Sequence, residues 1–159
     1  MEEPRQKKMA VIASKGTLDM AYPPFILATT AAALGWEVQI FFTSYGLQLL
    51  RKSLKKIKIS PLANPAMPMP VPMPVLISSL PGMQSMATTM MKQKIKKHGV
   101  ASLEDLRTMC LEADIKMIAC QMTMDLFEYK HSEFIDGIEL GGAATFPEFA
   151  GEADVTLFI

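Results

Sequence analysis

"MAVIASKGTLDMAYPPFILATTAAALGWEVQIFFT", Met9 to Thr43, decides the fold class. Its opening "MAVIAS" is a short apolar run bounded by "KG", the pattern of a strand buried on both faces of a sheet. Asp19 to Leu34 is alanine-rich with Gly35 after it, which fits a helix whose Pro23 and Pro24 sit in or near the first turn, where missing N–H groups cost little. That helix feeds "WEVQIFFT", a second strand. A strand, a helix and a strand at this spacing make a βαβ unit. The expected fold is therefore α/β: a single-domain, open, mostly parallel sheet of about five strands with helices on both faces.

Working outward, "SYGLQLLRKSLKK" (Ser44 to Lys56) reads as a helix with a Ser44 cap, leucines at Leu47, Leu50 and Leu54, and basic residues at the end that oppose the helix dipole. "SLEDLRTMCLEAD" (Ser102 to Asp114) has a serine cap, acids in its first turn, and Leu103, Leu106, Met109, Cys110 and Ala113 on one face. "KMIACQM" follows as a third strand, leading to a short helix around Met122 to Tyr129 and a Ser132-capped turn. "GIEL" reads as a brief strand, and Thr145 and Glu148 have capping-box spacing for a helix ending near Gly151. "ADVTLFI" is expected to be a last, buried strand.

A chain of 159 residues, half of them hydrophobic, suffices for one folded domain, 1–159. Sixteen basic and sixteen acidic residues cancel, so the overall positive field that holds a protein on nucleic acid is lacking, and no nucleic-acid partner is expected. Two cysteines without CxxC or His-flanked spacing exclude the usual zinc frameworks and the thioredoxin motif. They are also too few to staple a small secreted fold, and "MEEPRQKK" carries no secretion signal, so a cytoplasmic location is expected. "ASKGTLD" lacks the glycine spacing of a dinucleotide loop and the lysine motif of a P-loop. His98 and His131 have no ligand-type neighbours at metal spacing; neither a metal nor an organic cofactor is expected.

Between Lys58 and Lys92 no residue is charged, and prolines 61, 65, 68, 70, 72, 74 and 81 alternate with methionines. A membrane span needs about 20 apolar residues with internally bonded backbone, which these prolines deny. The expectation is an extended Pro/Met-rich excursion at about 59–91, ending in a helix from about Met83 to Lys97. Its uncharged, adaptable surface suits packing against another subunit, hence a homo-oligomer, in preference to contact with a membrane. Met67, Met69 and Met73 lie close enough in sequence to raise a Cu(I) reading, but methionine is ordinarily a gap-filler.

Cys120 ends the third strand just before a helix, and in open parallel sheets chemistry gathers outside the carboxyl ends of the strands. A helix N-terminus also lowers a thiol pKa. Cysteine is equally a common buried hydrophobe, so position alone leaves nucleophile and core residue both standing. Cys110 shares the apolar face of its helix, where packing is the ordinary outcome. The roughly 10 Å between a helix and its sheet, with the two residues out of level, disfavours a direct Cys110–Cys120 disulfide, because bridged Cα atoms lie within about 7 Å.

"VIASKGTLD", "ALGWEVQIFFTSYGL", "IACQMTMDLF" and "IDGIELGGAATFPEFAGEADVTLFI" together resemble the DsrE/DsrF/DsrH-like family, specifically its second DsrE-like branch. The resemblance covers nearly the whole chain in order. It implies a small, usually oligomeric α/β protein that accepts sulfane sulfur (or a thiosulfonate) on Cys120 and passes it to a partner thiol. Cys110, read from its place on the apolar helix face, keeps at most a weak secondary role. The partners it implies are a TusA-like sulfur carrier or a rhodanese. This branch is sometimes labelled peroxiredoxin-like, yet no cysteine here has the threonine and arginine such a site needs. The alternative is a non-catalytic assembly module in which Cys120 merely packs.

Overall fold

The computed structural model describes residues 4–62, 66 and 69–159. In chain order the elements are β1 (Lys8–Ala13), α1 (Leu18–Ala33), β2 (Glu37–Phe42), a 3-10 helix (Ser44–Leu50), α2 (Val75–Ser78), α3 (Met83–Lys97), α4 (Leu103–Glu112), β3 (Lys116–Cys120), α5 (Gln121–Leu126), a 3-10 turn (His131–Glu133), β4 (Glu139–Gly141), α6 (Thr145–Ala150) and β5 (Val155–Phe158). The five strands form one sheet in the order β4-β3-β2-β1-β5, and every strand pairing is parallel. The α/β class and the five-stranded open sheet agree with the expectation from sequence.

Side chains alternate across the sheet with the period of two that a strand imposes. Met9, Val11, Ala13, Val38, Ile40, Phe42, Met117 and Ala119 belong to one core with α1 and α4, where Phe25 of α1 meets Phe42 with ring centroids 5.9 Å apart. Ala10, Phe41, Ile118 and Cys120 belong to the other, with Phe146 and Phe149 of α6. Because both faces are covered, the central strands read as continuous apolar runs. Burying a ring such as Phe25 or Phe42 contributes about 2 to 3 kcal/mol.

Several local expectations give way to tertiary contacts. The helix predicted from Ser44 to Lys56 is a 3-10 helix that stops at Leu50. Its continuation is blocked because Arg107 Nη1 donates to the carbonyls of Leu49 (2.9 Å) and Arg51 (2.6 Å), and Ile135 N–H takes the carbonyl of Leu50. Ser44 does not cap it: Thr43 precedes the helix, and Ser44 has a φ of +49°. Pro23 and Pro24 fall in the second turn of α1, so the carbonyls of Asp19 and Met20 lose their helical donors. On α4, Leu103, Leu106 and Cys110 are buried as expected, whereas Met109 and Ala113 are exposed and Arg107 is buried in their stead. Ser102 does cap α4, in a reciprocal box with Asp105.

Near the C-terminus, the turn expected at Ser132 is tied by Glu133 Oε2, which accepts from Lys130 N–H at 2.8 Å. Thr145 lies inside α6 without a side-chain cap, so the capping box with Glu148 does not form. The strand expected to be buried, β5, pairs only with β1; it is an edge strand, and Phe158 is exposed. Helix α3 matches its predicted span. Met67, Pro65 and Pro68 of the Pro/Met-rich excursion lie outside the described residues. Among the described residues no helix is long and apolar enough to cross a membrane.

Candidate functional site

Cys120 is the last residue of β3 and the first to turn toward α5. The sheet order places it. From β1 through β4 the chain steps one strand at a time in one direction, and Met124 of α5 packs in the same core as α1 and α4. From β4 it returns to the far side of β1 through α6, which packs in the opposite core. The connections leaving β3 and β4 therefore diverge to opposite faces, the arrangement that in open α/β sheets marks where ligands gather outside the carboxyl ends of the strands. Cys120 pairs in register with Gly141, each the last residue of its strand.

Register also supplies the surroundings of the thiol. Phe42 is level with Ala119, so Thr43 and Cys120, each one residue further, stand beside one another at the ends of adjacent strands about 4.8 Å apart. The Thr43 and Thr123 hydroxyls and the amides of Thr123 and Met122 at the start of α5 stand around the sulfur as the donors that favour its thiolate. Thr43 Oγ1 and Thr123 Oγ1 are 3.2 Å apart, and Ser44 N–H donates to Thr123 Oγ1 at 3.4 Å. Close packing of the loops fixes this arrangement. A Cβ on Gly46 would overlap the Ala13 carbonyl, and one on Gly141 would lie 2.5 Å from Ile118 Cγ2.

Cys120 is 4% exposed. Burial alone pushes its thiol up, but the four donors stabilise the thiolate more, and its pKa is held below the ordinary thiol value. Cys110 is the contrast. It is fully enclosed in the core on the α1 face, and burial pushes its thiol up to about 12. The two thiols are free and belong to cores on opposite sides of the sheet, a separation by face that the sequence reading, which argues from level and helix-to-sheet distance, does not include.

The remaining sequence candidates do not converge. Met69 and Met73 are half-buried, and Met67, the third residue of the Cu(I) reading, lies outside the described residues. His98 follows α3 and His131 opens the second 3-10 turn, far apart in the chain and both exposed. Among the described residues no group of three or more His, Cys, Asp or Glu side chains forms a metal set. Thr43, Thr123 and Gly141 escaped the sequence reading. Thr43 ends "WEVQIFFT" as Cys120 ends its own strand, and that shared position was the available signal.

The DsrE/DsrF/DrsH-like family model matches residues 5–158. The sulfur carrier protein DsrE2 of Allochromatium vinosum is 64% identical over 158 residues, covering 97% of this chain and 99% of that protein. The uncharacterized protein YrkE of Bacillus subtilis is 34% identical over 157 residues, covering 96% and 97%. In fold, the chain is similar to the crystal structure of the YchN protein from E. coli, with a TM-score of 0.58 and 12% identity over 98% of this chain and 100% of that one.

Proposed function

The chain belongs to the DsrE/DsrF/DrsH-like family, and from that premise we propose that it is a sulfur carrier that accepts sulfane sulfur on Cys120 and yields it to a partner thiol. The observation that carries this reading is the sulfur of Cys120, held at the carboxyl end of β3 by four donors that favour its thiolate. Thiolate is the attacking species in sulfur transfer. The Cys120 thiolate attacks the outer sulfur of a donor persulfide or polysulfide; a new S–S bond to Cys120 forms, the donor's own S–S bond breaks, and the electron pair leaves on the donor thiolate. No external oxidant or reductant is consumed. The partner's thiolate removes the sulfur by the same exchange.

A TusA-like carrier or a rhodanese suits this exchange, since each presents a cysteine. The exposed Val75, Leu76, Leu80, Met86 and Met90 of the α2 and α3 region suit contact with a second copy of the chain, because so much adjacent apolar surface is rarely left to water. Sedimentation of wild type and of a Leu76→Lys, Met90→Lys variant tests that assembly: a smaller species is expected from the variant, and equal sedimentation removes this surface from it.

The test of the chemistry is intact-mass measurement of reduced protein after exposure to polysulfide, thiosulfate or tetrathionate, beside Cys120→Ser and Cys110→Ser. The expected result is an adduct of one or more sulfurs or a thiosulfonate, reversed by reductant, absent from Cys120→Ser and retained in Cys110→Ser. An unloaded wild type would sink the proposal.

A further inference from the structure

The charges of this neutral chain are segregated. No Asp or Glu occurs between Glu37 and Glu104, while nine Lys and Arg fall in that interval. At the amino ends of the strands cations are paired: Arg5 with Asp154, Lys8 with Glu152 and Glu37, Lys116 with Glu139. At the carboxyl end a cleft of about 520 Å³ opens beside the turn that leaves β1, lined by Arg51, Lys52, Lys56 and Lys58 together with Gly16, Thr17 and Gln48. Arg51 is paired with the cleft's one carboxylate, Glu133, at 2.8 Å. Among the described residues Lys52, Lys56 and Lys58 have no ion pair. A concave surface lined by one sign of charge concentrates counter-ions of the other.

Distance selects the occupant. Gly16 lies just beyond β1 and Cys120 ends β3, and the carboxyl ends of those two strands, two spacings apart in the sheet, are about 10 Å from one another. A small inorganic oxyanion seated among the lysines is too short to bring a sulfur to Cys120. An extended peptide covers that distance in about three residues. An exposed apolar side chain stands near each end: Tyr45, whose backbone abuts Gly16, is 67% exposed, and Met122, two residues beyond Cys120, is 72% exposed.

We infer that the cleft docks an acidic segment of a partner protein, whose carboxylates lie about three residues from the cysteine it presents to Cys120. This rests on the sulfur-carrier reading for its purpose, and on charge and distance for its chemistry.

Fluorescence anisotropy with labelled peptides tests it. Each probe carries one cysteine and, about three residues to one side or the other, a run of glutamates or of glutamines. Binding is measured on Cys120→Ser, which cannot exchange sulfur, and on the same protein carrying Lys52→Gln and Lys56→Gln, with thermal unfolding confirming that both are folded. The glutamate peptide is expected to bind about tenfold more tightly than the glutamine peptide, an advantage that falls about threefold for each lysine removed. Equal binding of the two peptides overturns the inference, as does an advantage that survives loss of the lysines. Displacement by sodium sulfate well beyond that by sodium chloride at equal ionic strength also overturns it, in favour of a small oxyanion site. Polysulfide loading of Cys120 in the wild type is scored separately. Loading without peptide discrimination defeats the docking alone; discrimination without loading keeps the docking and defeats the relay.

Discussion

Thr43 Oγ1 lies 3.2 Å from Thr123 Oγ1, and both hydroxyls reach the sulfur of Cys120. Each hydroxyl has one proton to give. A hydroxyl that donates to the sulfur cannot also donate to the other hydroxyl, so a negative charge on Cys120 competes with the bond between the two threonines.

Removing either hydroxyl weakens the thiolate. A hydrogen bond to a charged group is worth roughly 1.5 to 3 kcal/mol, so Thr43→Val and Thr123→Val are each expected to move the midpoint of Cys120 alkylation up by about one to two pH units. Iodoacetamide rates across pH, read on Cys110→Ser to isolate one thiol, provide the check. Unmoved midpoints would mean that the hydroxyls only pack.

The two thiols give opposite pH dependences of stability. Cys120 has a depressed pKa in the fold, so its contribution is fully present above the ordinary thiol value of 9.0 and is lost as pH falls through its folded value. Cys110 is raised from 9.0 to about 12, so its contribution is present below 9.0 and is lost as pH rises toward 12. Urea unfolding should show the stability gap between wild type and Cys110→Ala shrinking above pH 9, by about 4 kcal/mol at most. The gap between wild type and Cys120→Ala should widen as pH rises toward 9. A reversed trend in either pair contradicts the assignment.

Gly141→Ala puts a methyl 2.5 Å from Ile118 Cγ2 and 3.3 Å from Thr145 Cβ, on the residue paired with Cys120. Overpacking of this kind costs about 1 to 3 kcal/mol. Gly142→Ala, with nothing within 4 Å, is the matched control and should unfold like wild type. Chemical denaturation separates them; equal stability would show that β4 yields freely.

Arg107 is a buried cation whose Nη1 serves the carbonyls of Leu49 and Arg51. Arg107→Met leaves both acceptors without that donor, and an unsatisfied buried group costs about 1 to 3 kcal/mol. Allowing for the guanidinium's own cost of burial, which also lowers its pKa, the expected loss is about 2 to 4 kcal/mol. A variant as stable as wild type would imply that water replaces the guanidinium.

Where burial pattern alone shapes an element, the sequence was a sufficient guide. β1, α1 and β2 announce themselves through continuous apolar runs and an alanine-rich turn of chain, and α3 and the Ser102 cap of α4 follow local rules. The reading failed where a distant residue outbids a local preference. Ser44 to Lys56 has helical periodicity, but Arg107, far along the chain, takes the carbonyls its last turns would need. No local pattern signals that Arg107 is a buried guanidinium.

The site divides along the same line. Sequence by itself determined that a cysteine ends a buried strand just before a helix, because strand and helix signals are local and Cys120 stands at their junction. Only the tertiary structure decided which residues surround its sulfur. Parallel register brings Thr43 level with Cys120 from the adjacent strand, and the return of the chain through α6 sends the connection leaving β4 to the face opposite the one leaving β3. Strand order and register arise from contacts between segments distant in sequence, and no local pattern encodes them.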